Sequence, residues 1–200
     1  MKKIKIRKYK MKKTNHLAIL ILAAGTSSRL GYPKQLVTYK NESLLKIAIK
    51  KALKISTDVF VVLGHEKEIC ENEIKNFNIN ILYNKEYKKG MGSSLSFGIS
   101  HTIVYENTMV MLCDQPLIPI SHYKTLTTYI KYEKICASFY NDSLSVPVIF
   151  PKKYYKKLLE LNVKKGAKLI LKPENCIKIS LLKKYSVDID IFDDIVKYLY

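Results

Sequence analysis

The sequence predicts an α/β sandwich built on a mostly parallel sheet, and two observations predict it. Apolar runs of strand length, such as Leu17–Ala23 and Asn107–Cys113, alternate with segments whose apolar residues recur at helical spacing. Two of those runs end in short stretches of small or charged residues, and ligands of such sheets sit beyond the carboxyl ends of the strands. A length of 200 residues suits one domain, and neither an internal repeat nor a linker divides it.

Residues 1–14 are expected to form a basic, disordered extension ahead of a domain at 15–200. Basic Met1–Lys13 followed by apolar Leu17–Ala24 has the outline of a secretion signal. The apolar run is short, however, and cleavage after Ala24 would destroy the glycine loop that follows. Leu17–Ala23 therefore reads as a first strand, buried on both faces and so without alternation. Ser43–Leu53 reads as a helix with Leu45, Ile49 and Leu53 on one face. Asp58–Gly64 is a second strand, His65–Lys75 a short helix and Asn78–Tyr83 a third strand. Ser93–Tyr105 carries Leu95, Ile99 and Ile103 at helical spacing. Gly98 inside it costs about 1 kcal/mol relative to alanine, which marks close packing. Asn107–Cys113 is a central strand. Residues 135–150 read as a strand, a polar turn at Asn141–Ser143 and a strand ending at Pro151. Tyr154–Leu161 and Ala167–Leu171 read as helices, Cys176–Leu182 and Val187–Asp190 as strands, and a closing helix starts at Phe192.

The formal net charge of +18 raises nucleic-acid binding, but the lysines are spread along the whole chain and no recognition motif accompanies them. No nucleic-acid partner is expected; the positive field draws in anionic substrates such as triphosphates instead. No apolar stretch is long enough to span a membrane. Cys70, Cys113, Cys136 and Cys176 are widely spaced without a CxxC pair, which argues against a zinc site or disulfide framework and suits a reducing cytoplasm.

The chemistry concentrates in LAAGTSSRLGYPKQL, residues 22–36. Gly25 can take backbone angles closed to other residues, and Thr26, Ser27 and Ser28 add hydroxyls without bulk. Arg29 is one of two arginines, with Arg7, in a chain that otherwise uses lysine. Its guanidinium makes forked hydrogen bonds to phosphate that an ammonium cannot. The loop is not a Walker loop: five residues separate Gly25 from Gly31, and Tyr32 stands where lysine should be. Asp114 ends an apolar strand, where an uncompensated carboxylate would be costly to bury, and Pro116 stops the strand.

The loop resembles the signature of the MobA-like nucleotidyltransferases, and within them the molybdenum cofactor cytidylyltransferase (MocA-like) branch. VVLGH at 61–65, KGMGSSLSFGI at 89–99, CDQP at 113–116, PVIFP at 147–151, KGAKLIL at 165–171 and DID at 188–190 follow in family order. The resemblance implies a single-domain, Rossmann-like (GT-A type) three-layer sandwich. It implies transfer of CMP from CTP, or of another nucleotide, to a phosphorylated molybdopterin-type acceptor, with pyrophosphate released. The modified cofactor would pass to a molybdenum hydroxylase or its chaperone, and the chain is expected to act as a monomer.

By the same resemblance Leu22, Ala23, Ala24, Gly25, Thr26, Ser27 and Ser28 cradle the triphosphate, Arg29 holds its terminal phosphates and Lys34 sits near the α-phosphate. Gly64 and His65 lie near the base. Gly92, Ser93 and Ser94 open a helix toward the nucleotide, Ser93 or Ser94 capping it. Asp114 and Asp190 hold a divalent cation, Mg²⁺ or Mn²⁺, with Asp188 the lesser candidate; Asp193 and Asp194 read as first-turn helix charges. His16, His101 and His122 lack context and carry no role. Two departures fall near the acceptor side: Val163-Lys164 before Lys165-Gly166-Ala167, where Gly-Asp is common, and Val146 before Pro147, where a small or polar residue is common. GTP use, a sugar or alditol phosphate acceptor, and a non-catalytic cofactor-delivery protein are the competing readings.

Overall fold

The computed structural model describes residues 17–161 and 166–200. The basic extension, His16 and the Val163–Lys165 departure lie outside the described residues. In chain order the elements are β1 (Leu17–Ala23), β2 (Thr38–Tyr39), β3 (Glu42–Ser43), α1 (Leu44–Leu53), β4 (Val59–Leu63), α2 (Lys67–Ile74), β5 (Asn80–Tyr83), α3 (Met91–His101), β6 (Asn107–Leu112), α4 (Ile120–Thr128), β7 (Ile135–Tyr140), β8 (Ser143–Pro151), α5 (Tyr155–Leu159), β9 (Cys176–Ser180) and α6 (Phe192–Leu199).

Seven strands form one sheet in the order β5-β4-β1-β6-β8-β7-β9. β8 runs antiparallel to both β6 and β7, while the other pairings are parallel. The chain leaves β1 toward β4 and β5 on one side, then returns to place β6 on the other. The carboxyl ends of β1 and β6 therefore flank the point where the strand order reverses, the position of a ligand crevice in open α/β sheets.

Each strand side builds a different core. Ile19, Ile21 and Ala23 pack with Leu45 and Ile49 of α1, Cys70 and Ile74 of α2, and Tyr123 and Leu126 of α4. Ala18, Leu20 and Leu22 pack on the opposite face with Leu95 and Ile99 of α3 and Leu158 of α5. Burial on both faces is why β1 reads as an unbroken apolar run. A third, smaller cluster of Val37, Leu44, Ile189 and Leu199 ties the segment after the glycine loop to the chain's C-terminal stretch.

Several elements differ from the sequence expectation. α3 starts at Met91 behind Gly90 and stops at His101, so Ile103 is exposed; Ser93 and Ser94 lie inside the helix rather than capping it. Ser43 caps α1 from outside, its side chain accepting from the Lys46 N–H. Val187–Asp190 is extended but, among the described residues, pairs with no strand; the Ile189 N–H donates to the Asp114 carbonyl beyond β6 at 2.9 Å. Ala167–Leu171 forms a short 3₁₀ turn at Gly166–Leu169 rather than an α-helix. The β2–β3 hairpin and α4 were not anticipated.

Gly98 is where α3 crosses β1. A Cβ there would lie 2.5 Å from both Leu20 methyls, and Leu20 is fully buried. Alanine would gain about 1 kcal/mol of helix propensity, but overpacking a rigid core costs typically about 1–3 kcal/mol. Gly98→Ala should thus leave the urea unfolding midpoint unchanged or lower it, by an amount equivalent to about 0–2 kcal/mol. A raised midpoint would show that α3 and β1 are not in close contact.

Candidate functional site

The turn after β1 is rigid because three residues hold it from within. Ser27 takes a left-handed conformation (φ 52°), a cost of about 1–2 kcal/mol for a residue with a Cβ. Its hydroxyl accepts from the Lys34 N–H at 3.0 Å, and its carbonyl accepts from the Leu30 and Gly31 N–H groups. Ser27 is thus turned inward, as a brace for the loop. Gln35, buried to 1% exposure, donates its side-chain amide to the carbonyls of Ala23 (2.8 Å) and Gly25 (3.1 Å). Gly64 closes the back: a Cβ there would lie 2.7 Å from the Ala24 carbonyl oxygen and 2.6 Å from Tyr87 Cβ.

Beyond this turn lies a cavity of about 320 Å³. Leu22, Ala23, Ala24, Gly25 and Thr26 line one wall, Lys34 and Asp114 another, and Tyr87, Lys88, Gly90, Met91 and Ser94 a third. The last group brings the N-terminus of α3 to the cavity, where unpaired N–H groups and the helix dipole favour an anion. Asn84 fixes that end by donating to the hydroxyls of Ser93 and Ser94, both at 3.1 Å. Gly92 is buried in the first turn of α3. His65 is half-buried behind the loop, its N–H on the Ala24 carbonyl at 3.3 Å and its ring 6.2 Å from that of Tyr87. Ser28 is exposed at the rim.

At the cavity mouth three distant segments meet on one nitrogen. Lys34 Nζ lies 2.7 Å from Asp114 Oδ2 and 2.7 Å from Asp190 Oδ1. Arg29 Nη2 lies 2.8 Å from the other oxygen of Asp190. Burial alone would lower the Lys34 pKa, but Asp114 and then Asp190 outweigh it and hold it above the usual lysine value. Burial likewise works against the Asp190 carboxylate; Lys34 first and Arg29 second hold its pKa below the ordinary range. Asp194 fixes the backbone here, accepting from the N–H groups of Asp190 (2.9 Å) and Ile191 (3.0 Å).

Asp188 does not face the lysine. It accepts from buried Gln115 Nε2 at 2.7 Å, and the same amide reaches the Tyr140 hydroxyl at 3.2 Å. Though part of its side chain opens to a second cleft, the protein crowded around it and then the charge of Asp114 push its pKa up to about 6. That cleft, about 660 Å³, is lined by Arg29, Asn141, Lys183, Lys184 and the 186–191 segment. Arg29 and Asp190 thus face the second cleft, and Lys34 and Asp114 the first.

The donor set fits a divalent cation. Two carboxylate oxygens converge on one point, and Asp114 Oδ1 beside them is buried without a hydrogen-bond partner among the described residues. Among the described residues no three His, Cys, Asp or Glu side chains gather around a metal position. Hard cations that keep several waters and take phosphate oxygens need no larger protein set. Tyr87 and Gln35 are the participants that motif reading passed over; Gln35 follows Lys34 in the signature, and only its burial shows that it braces the turn.

Lys34→Met should destabilise the protein by about 3 kcal/mol at neutral pH, because it strands Asp114 and leaves Asp190 to Arg29 alone at a partly buried site. The sign of the pH dependence follows from Asp190, whose folded pKa Lys34 holds below the ordinary range: without the ammonium that pKa rises, so protonation relieves the penalty as pH falls. The gap between wild type and variant in urea unfolding should hold from pH 8 to pH 5 and narrow as pH falls from 5 to 3, through the Asp190 range. A gap independent of pH would mean that the ammonium does not neutralise the pair.

A family model described as the MobA-like NTP transferase domain matches residues 19–179. Over 117 residues the chain is 31% identical to the bifunctional protein GlmU of Sulfurovum sp. (strain NBC37-1), a match covering 56% of this chain and 26% of that protein. It is 27% identical over 108 residues to the molybdenum cofactor cytidylyltransferase of Escherichia coli (strain K12), covering 54% of this chain and 56% of the relative. The chain thus spans from about a quarter to about half the length of these curated relatives. The crystal structure of Rv0371c from Mycobacterium tuberculosis H37Rv overlays with a TM-score of 0.81 at 22% identity, over 92% of this chain and 98% of that one. The same protein in complex with manganese overlays at 0.79 and 20% identity, again over 92% of this chain and 98% of that one. At these identities the overlays establish a shared fold. With the family model covering most of its length, the chain belongs to the MobA-like NTP transferase domain family.

Proposed function

We propose that this protein is a nucleotidyltransferase that moves CMP from CTP onto the phosphate of molybdenum cofactor, releasing pyrophosphate. The observation that carries the reading is the single ammonium of Lys34 shared by Asp114 and Asp190 at the mouth of the Gly25 cavity. The match to the cytidylyltransferase of Escherichia coli supports this choice of nucleotide and acceptor.

In this reading the triphosphate lies against the Ala24–Thr26 backbone and the N-terminus of α3, and Arg29 grips its terminal phosphates. Lys34 turns to the α-phosphate, where negative charge grows during attack. An oxygen of the acceptor phosphate forms a bond to the α-phosphorus as the bond to the bridging oxygen breaks. Pyrophosphate leaves with that electron pair. A phosphate monoester, with a second pKa of about 6, is largely dianionic at neutral pH, so no general base is required. Asp114 and Asp190 hold a divalent cation, magnesium or manganese, which when bound neutralises phosphate charge as a Lewis acid. The manganese complex of the Mycobacterium tuberculosis protein supports that cation type. The acceptor occupies the second cleft, across Arg29 and Asp190 from the nucleotide. The product would pass to a molybdenum hydroxylase or its chaperone.

A second reading keeps the chemistry and changes the acceptor to a sugar or alditol phosphate. It is favoured by Val146 before Pro147, where the family resemblance expects a small or polar residue on the acceptor side.

Pyrophosphate release should be measured with CTP, GTP, ATP and UTP, each with Mg²⁺ and purified molybdenum cofactor. CTP should release most, and Asp114→Asn should lose turnover by roughly 100-fold or more while its far-UV CD is retained. Release dependent on a sugar phosphate instead would favour the second reading. Absence of release with every nucleotide and acceptor would contradict both.

A further inference from the structure

The point where the transferase reading needs a metal is the point where the protein puts its own cation. Lys34 Nζ sits 2.7 Å from one oxygen of Asp114 and 2.7 Å from one oxygen of Asp190. Magnesium binds oxygen at about 2.1 Å, so each carboxylate would draw in by only about half an ångström to exchange the ammonium for a metal. The two cations cannot share the position, since both would occupy the one point between the carboxylates and like charges repel there. One acceptor is left over in the present arrangement. Among the described residues Asp114 Oδ1 is buried without a hydrogen-bond partner, whereas Arg29 takes the second oxygen of Asp190.

The ammonium also has somewhere else to go. Lys34 lines the cavity beside Gly25 and Thr26, where the triphosphate would lie. Its backbone is pinned, with its N–H on Ser27 Oγ and the next residue, Gln35, tied to two loop carbonyls. Only the flexible four-carbon stem has to turn.

We propose that Lys34 is the resident cation of the Asp114–Asp190 pair and keeps a divalent metal out until a triphosphate draws its ammonium away. Tight metal binding then follows nucleotide binding. The identity of the arriving anion rests on the transferase reading. The exclusion itself rests only on the three side chains. Because the apparent metal affinity is the intrinsic one scaled by the fraction of molecules whose carboxylates are free of the ammonium, removing the ammonium raises it.

The test is Mn²⁺ binding to the full chain without nucleotide, read from the loss of the free-ion EPR signal. Wild type should bind weakly, and Lys34→Met should bind at least about tenfold more tightly. Lys34→Gln, a second uncharged replacement, serves if the methionine variant does not fold. Adding Asp114→Asn to either should abolish the gain. Equal Mn²⁺ affinity in wild type and both uncharged variants would overturn the proposal, as would a gain that survives Asp114→Asn. The two readings fail separately. A gain dependent on Asp114 in a chain that releases no pyrophosphate keeps the exclusion and removes the transferase. Pyrophosphate release with unchanged Mn²⁺ affinity does the reverse.

Discussion

The structure of the site depends on one ammonium held between two carboxylates that lie 80 and 156 residues further along the chain. Such an arrangement is unfavourable in isolation. Each group loses water, and only mutual pairing and good geometry compensate. It persists because apolar packing brings the backbones together independently. Val37 and Leu44, just after the glycine loop, bury against Ile189 and Leu199 near the end of the chain. The Ile189 N–H then docks on the Asp114 carbonyl, which aligns Asp114 and Asp190 on one side of the extended segment. Hydrophobic burial sets the distance and the charges set the final geometry.

The same division of labour runs through the phosphate loop. Its glycines and small residues leave backbone groups exposed, which by itself would make a floppy turn. The inward hydroxyl of Ser27 and the two-carbonyl brace from Gln35 hold it. Gly64 lets the β4 end approach the Ala24 carbonyl more closely than any residue with a Cβ could. The loop's outward face is thus free for ligand because its inward face is fully engaged.

Much of this was legible in the chain. The apolar runs at 17–23, 59–63 and 107–112 are buried on both faces, and sequence reports that directly. The convergence of Lys34, Asp114 and Asp190 followed from motif order, not from periodicity. Other features were hidden for physical reasons. α4 is rich in threonine with serine, histidine and tyrosine, weak helix formers, and its Ile120-Tyr123-Leu126 spacing is a faint signal that tertiary packing completes. The strict alternation of Val187-Asp188-Ile189-Asp190 reports an extended backbone with one face buried. It cannot report whether a partner strand exists, and here the Ile189 N–H donates to the Asp114 carbonyl beyond β6. Asp188 read as the lesser metal candidate, and nothing in its neighbours reveals the buried Gln115 amide that holds it. The inward rotation of Ser27 depends on a left-handed backbone angle that serine seldom takes.

The most direct measurement is a crystal structure of the chain with CTP and Mn²⁺, located by anomalous scattering. The account predicts a manganese peak between Asp114 and Asp190, with the Lys34 ammonium withdrawn onto the phosphates beside Gly25. A triphosphate bound elsewhere, or manganese remote from both carboxylates with Lys34 still bridging them, would contradict it.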